Sequence, residues 1–111
     1  MNLKESIQMK LAEFLTLCKN HNVRNLYAFG SSISNDFNEE FSDIDLLIEI
    51  DNEDPIERGE TLMNIWDKFE DFFHRKVDLL TNSSIKNPIL RRNIDSTKIL
   101  IYDGKEQKVS F

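Results

Sequence analysis

The chain has 111 residues, 40% hydrophobic and 31% charged, which is ordinary for one soluble globular domain. Its formal net charge of −6 argues against a protein that grips long DNA or RNA, because such binding depends on Lys and Arg at the phosphates. The single cysteine excludes an internal disulfide, and no segment approaches the ~20 apolar residues that cross a bilayer. We therefore expect a cytoplasmic protein with neither a membrane nor a long nucleic acid as partner.

The first two elements follow from apolar spacing. From Leu3 to about Lys19, apolar residues recur every three or four positions, which predicts one helix with a single buried face. The apolar run from Val23 to Phe29 stops at Gly30, as a buried strand does when it enters a tight turn. A few helical residues are expected after this glycine.

A second strand is predicted over residues 43–50, where side chains alternate in character. One face carries Ile44, Leu46, Ile48 and Ile50, and the other carries Asp43, Asp45, Leu47 and Glu49. We expect the Glu49 carboxylate to meet solvent.

The second half of the chain repeats this alternation of helix and strand. Asp54-Pro55 has the composition of a helix start, and the helix is expected to end near His74. Its apolar residues at helical spacing are predicted to lie in the core: Leu62, Ile65, Trp66, Phe69, Phe72 and Phe73. A short strand over 77–80, a helix opening at Asn87-Pro88 and a last strand over 98–102 complete the pattern.

This order of elements predicts an α/β fold with a single mixed β-sheet flanked by helices. We expect one domain over residues 1–111, with a catalytic core at about 23–80 and a loose tail at 103–111. The strand order cannot be read from the sequence.

Three acidic residues carry the chemistry that the pattern suggests. Asp43 and Asp45 are two apart on a predicted strand, so their side chains leave the same face and repel each other. A bound Mg²⁺ or Mn²⁺ would relieve this repulsion, because both ions prefer hard oxygen ligands. Asp78 stands between apolar residues and should point away from the core. If the two strands are neighbours, the three carboxylates converge.

Each of these features alone also fits a solvated strand end. Their combination with Gly30-Ser31 is more specific, because glycine lets the backbone approach a ligand and N–H groups at a turn attract phosphate. A phosphate cradle beside a metal cage is what phosphoryl or nucleotidyl transfer requires.

Gly30-Ser31, eleven residues, Asp43-Ile44-Asp45 and a later Asp78 on a strand resemble the DNA polymerase beta-type nucleotidyltransferase superfamily. Within it, the chain is similar to the minimal nucleotidyltransferase (MNT) domains, the MntA-like antitoxins of HEPN/MNT toxin–antitoxin pairs. The resemblance runs from about residue 26 to 80 and extends loosely to 102.

The resemblance implies a metal-dependent nucleotidyltransferase that moves AMP from ATP, or another nucleoside monophosphate, to a hydroxyl on a partner macromolecule. Gly30, Ser31 and Ser32 would bind the nucleotide phosphates. Asp43, Asp45 and Asp78 would bind Mg²⁺ or Mn²⁺ and act as the catalytic residues. A HEPN-type toxin would be the partner and acceptor.

The chain departs from the family just after Gly-Ser, where many members carry a small-Arg-Gly segment and this sequence has residues 32–36, SISND. Phosphate affinity and catalytic rate depend on that segment. Two alternatives therefore stay open: an antitoxin that is weakly active or inactive and acts by binding its toxin, and a transferase that modifies a small molecule such as an antibiotic. A homo- or hetero-oligomer is also left open.

Overall fold

The computed structural model describes residues 2–33 and 43–111. Within these residues five strands are found: β1 (Val23–Phe29), β2 (Ile44–Ile50), β3 (Val77–Leu80), β4 (Ile99–Asp103) and β5 (Lys108–Val109). They form one sheet in the order β3-β2-β1-β4-β5. β2 and β3 are parallel and the other neighbours are antiparallel, so the prediction of a single mixed sheet is confirmed.

Four α-helices accompany the sheet: α1 (Leu3–Met9), α2 (Leu11–Asn20), α3 (Pro55–Phe73) and α4 (Pro88–Thr97). Two short 3₁₀ helices lie at Gly30–Ile33 and Asn82–Ser84. The first of them matches the helical residues expected after Gly30. No helix in the described ranges is long and apolar enough to cross a membrane.

The prediction of one helix from Leu3 to Lys19 is wrong, because the backbone breaks at Lys10. This residue has φ −128° and ψ 46°, outside the helical region. Its Nζ donates a hydrogen bond of 2.8 Å to the Phe72 carbonyl and lies 4.3 Å from the centroid of the Phe72 ring. Apolar spacing continues through the break, since both helices bury their faces in the same core, so the sequence pattern carries no sign of it.

The two predicted helix starts are confirmed. The Asp54 side chain accepts a hydrogen bond from the backbone N–H of Ile56, and proline occupies the first helical position of α3. The Asn87 side chain caps α4 in the same way. Each cap satisfies backbone donors that the helix cannot pair internally.

The sheet has a different cluster of apolar side chains on each face. Alternate residues of β1, β2 and β3, including Leu26, Leu46 and Leu79, pack with α1, α2 and α3 in the main core. The residues between them contribute to a smaller cluster, in which Leu47 and Phe29 contact Ile94 of α4. The sheet therefore has one face covered by three helices and one face covered by α4.

The expected loose tail contains a strand. Lys108 and Val109 pair with Asp103 and Tyr102, which adds β5 to the edge of the sheet. The turn between β4 and β5 is tied to the sheet by a 2.7 Å hydrogen bond from the Gly104 N–H to the Arg24 carbonyl. The polar composition of this tail gave no indication of strand pairing.

Candidate active site

The parallel pairing of β2 and β3 places Asp45 and Asp78 side by side. The two residues are register partners, and parallel register partners project from the same face of a sheet. This is the α4 face, since Leu47 and Leu80, two residues further along each strand, belong to the smaller apolar cluster. The structure therefore brings together the two carboxylates that the sequence analysis could join only by assuming adjacent strands.

Asp43 joins this pair from the residue just before β2. Burial first, and then the negative charges of Asp78 and Asp43, raise the pKa of Asp45 from 3.8 to about 6. The three carboxylates therefore interact electrostatically. Asp43 itself lies 3.8 Å from the ammonium of Lys76, measured between Oδ2 and Nζ.

Gly30 brings the backbone directly against Asp45. β1 ends at Phe29, the register partner of Asp45, and Gly30 follows with φ +64°, a conformation that L side chains rarely adopt. A Cβ added to Gly30 would lie 2.7 Å from Oδ2 of Asp45. The position therefore needs glycine for two independent reasons: the left-handed backbone and the space taken by the carboxylate.

The serines of the predicted phosphate cradle are described only in part. Ser31 and Ser32 continue the 3₁₀ helix that Gly30 opens, and their side chains lie outside the description. Residues 34–42, including most of the segment that departs from the family pattern, also lie outside it. The predicted roles of Ser31 and Ser32 stay predictions.

The donor set suits a hard divalent cation. Asp43, Asp45 and Asp78 offer oxygen ligands only, as Mg²⁺ and Mn²⁺ prefer, and the raised pKa of Asp45 reports a repulsion that a cation would relieve. Among residues 2–33 and 43–111, however, no three His, Cys, Asp or Glu side chains already stand close enough to form a metal-binding group. The three carboxylates fit the ion by chemistry, and their role as its ligands stays a prediction.

Two polar residues near the site have contacts that the sequence pattern did not indicate. Glu49, expected in solvent, accepts hydrogen bonds from Asn25 Nδ2 at 2.8 Å and Asn82 Nδ2 at 3.0 Å, so it ties β1 and β2 to the segment after β3. Lys76, which lies beside Asp43, was not among the predicted site residues. Its spacing could have indicated that it shares a face with Asp78, because it precedes Asp78 by two residues, as Asp43 precedes Asp45.

Comparison with known proteins shows the family of this chain. The family model described as "Polymerase beta, Nucleotidyltransferase" matches residues 10–107. A Methanocaldococcus jannaschii protein named "Putative protein adenylyltransferase" is 35% identical over 85 residues, which cover 77% of this chain and 83% of that protein.

Solved structures share the fold. A "putative minimal nucleotidyltransferase" superposes with a TM-score of 0.60 at 23% identity, covering 89% of this chain and 95% of that one. A chain from the structure of the tri-AMPylated Shewanella oneidensis HEPN toxin in complex with MNT antitoxin superposes with a TM-score of 0.51 at 19% identity. The match covers 89% of this chain and 74% of that one. With the family model spanning nearly the whole chain and the archaeal relative above 30% identity, this protein belongs to the polymerase beta nucleotidyltransferase family, as its Gly-Ser and spaced aspartates predicted.

Proposed function

We propose that this chain transfers AMP from ATP to a hydroxyl on a partner protein, and that the partner is a HEPN-type toxin. The observation that carries the proposal is the pair of register partners Asp45 and Asp78 beside the Gly30 backbone. The name of the archaeal relative supports protein adenylylation as the reaction. The tri-AMPylated toxin bound to MNT antitoxin, which shares this fold, supports the acceptor class.

The site residues divide into two groups in this proposal. Asp43, Asp45 and Asp78 would hold Mg²⁺ or Mn²⁺, and the backbone around Gly30, together with Ser31 and Ser32, would hold the triphosphate. When bound, the metal neutralises charge on the phosphate oxygens and lowers the pKa of a coordinated nucleophile.

The transfer is a substitution at phosphorus. The acceptor oxygen forms a bond to the α-phosphorus, the bond from that phosphorus to the bridging β-phosphate oxygen breaks, and pyrophosphate leaves. Asp78 takes up the proton of the attacking hydroxyl.

The test is label transfer from α-labelled ATP, with Mg²⁺, to the co-purified HEPN-type partner. We expect Asp43→Asn combined with Asp45→Asn to reduce transfer by at least about 100-fold, the scale of losing a main source of transition-state charge stabilisation. Glu49→Gln is the matched control, since it removes a carboxylate from the same face of the same strand but outside the acidic group.

Equal labelling by the double variant and the unmodified chain would refute the proposed site. The binding-only alternative makes a different forecast: a variant with all three aspartates changed to asparagine would still neutralise the toxin. Full neutralisation without any label transfer by the unmodified chain would establish that alternative.

A further inference from the structure

Lys76 completes a square of four side chains at the start of β2 and β3. The parallel register pairs Ile44 with Val77 and Asp45 with Asp78, and the Ile44 N–H donates to the Lys76 carbonyl at 3.1 Å. Lys76 therefore lies beside Asp43, one step before the paired strands begin. With two-residue periodicity, Asp43 and Asp45 on one strand face Lys76 and Asp78 on the other.

The ion pair between Lys76 and Asp43 does little for the stability of the fold. The Lys76 side chain is 69% exposed and the Asp43 side chain 42% exposed, and their charged atoms are 3.8 Å apart. Exposed pairs of this kind are screened by water and contribute little. The consequence of the lysine is local: it places the only positive charge of the square next to three negative ones.

A triphosphate needs such a charge at this place. The three carboxylates repel an incoming nucleotide, and the bound cation offsets only part of that repulsion. A lysine ammonium is a compact charge on a flexible stem of four carbons, so it can leave one oxygen and reach another nearby.

We propose that Lys76 binds the β- or γ-phosphate of the nucleoside triphosphate, exchanging the Asp43 carboxylate for a phosphate oxygen when the nucleotide enters. This inference rests on the proposed function of the site. It assigns the cationic contact for the phosphates to the residue just before β3, and it makes the preference for a triphosphate over a monophosphate depend on that side chain.

The test is calorimetric titration of the purified chain with ATP and with AMP, each with Mg²⁺. We expect Lys76→Gln to weaken ATP affinity roughly tenfold, the loss of one charge-assisted hydrogen bond, and to leave AMP affinity within about twofold. Lys76→Arg should stay within about threefold of the unmodified chain for ATP, since the charge is kept. Lys105→Gln, an exposed lysine in the turn between β4 and β5, should change neither affinity.

A second measurement separates a lost phosphate contact from a damaged site. Mn²⁺ binding without nucleotide, followed by electron paramagnetic resonance, should be as tight or tighter in Lys76→Gln, because the ammonium no longer occupies Asp43. The inference is overturned if Lys76→Gln binds ATP as tightly as the unmodified chain does, or if its affinities for ATP and AMP fall by the same factor. If the unmodified chain itself binds no nucleotide, the proposed function falls and this inference with it.

Discussion

Asp45 shows how the surroundings of one residue set its chemistry. It is half-buried, two other carboxylates are close, and the Gly30 backbone lies directly against its Oδ2. Burial and the negative charges of Asp78 and Asp43 disfavour the charged form, which is why the pKa of Asp45 rises from an ordinary 3.8 to about 6. A group held in this way binds a cation in competition with a proton.

The raised pKa of Asp45 predicts how stability depends on pH. Between pH 3.8 and about 6 the folded protein binds more protons than the unfolded chain, so this group lowers the free energy of unfolding as pH rises through that window. Above pH 6 the loss is complete. Asparagine does not titrate, so its free energy of unfolding does not fall in this way. We therefore expect the difference in the free energy of unfolding, Asp45→Asn minus the unmodified chain, to rise by on the order of 1 kcal/mol from pH 4 to pH 7, a figure reduced for solvent screening.

Urea unfolding at intervals from pH 4 to pH 8 measures this difference. Asp67→Asn, an exposed carboxylate on α3, is the control and should give no such rise across the same window. A stability difference between Asp45→Asn and the unmodified chain that is flat with pH would show that the three carboxylates do not interact as described.

Gly30 predicts a second effect at the residue scale. Gly30→Ala would strain the left-handed backbone and push a methyl group into the Asp45 carboxylate, so we expect a loss of about 1–2 kcal/mol in the free energy of unfolding, together with weaker Mn²⁺ binding. Gly59→Ala is the matched control, because nothing lies within 4 Å of its added Cβ in the second turn of α3. The free energy of unfolding of Gly59→Ala should rise by about 0.5–1 kcal/mol, because alanine favours the helix more than glycine does. If both variants lose the same stability, the contact at Gly30 is not special.

At the scale of elements, the placement of Asp78 depends on how α3 holds the edge strand β3. β3 has only four residues and pairs with one neighbour, β2. Two side chains of α3 bind the backbone of Val77: Trp66 Nε1 donates to its carbonyl at 2.7 Å, and Glu70 Oε2 accepts from its N–H at 3.0 Å. These contacts satisfy polar groups that an edge strand otherwise leaves unpaired.

Trp66→Phe tests this connection. The ring keeps most of its packing but leaves the Val77 carbonyl without its donor, so we expect a loss of about 1–2 kcal/mol in the free energy of unfolding. Asp78 follows Val77 directly, so a less firmly held Val77 should displace the Asp78 carboxylate, and the affinity of the site for Mn²⁺ should also fall. Met63→Ala, on the same helix and 64% exposed, should change stability by less than about 0.5 kcal/mol. Unchanged metal affinity in Trp66→Phe would mean that β2 alone positions Asp78.

At the scale of the whole molecule, the site forms where three strand ends meet. β1 is antiparallel to β2, and β2 is parallel to β3, so the end of β1 and the starts of the other two strands lie at the same edge. The Gly30 turn and the three aspartates therefore come together although they are far apart in sequence. The main core holds this edge from one face, and α4 packs on the other.

The kinds and approximate places of the elements could be predicted from the sequence, because apolar periodicity and capping residues are local signals. β1 and β3 were predicted with their observed bounds, and the caps at Asp54 and Asn87 were correct. Strand alternation also predicted that Asp43 and Asp45 share a face. Gly30 was predicted as the turn at the end of β1.

Which elements become neighbours could be learned from the folded chain alone. The parallel register that joins Asp45 to Asp78, the contact of Lys10 with Phe72, the pairing of β5 and the place of Lys76 beside Asp43 all involve residues distant in the chain. Local periodicity cannot encode such contacts, because it records which way a side chain points and not which strand lies next to it.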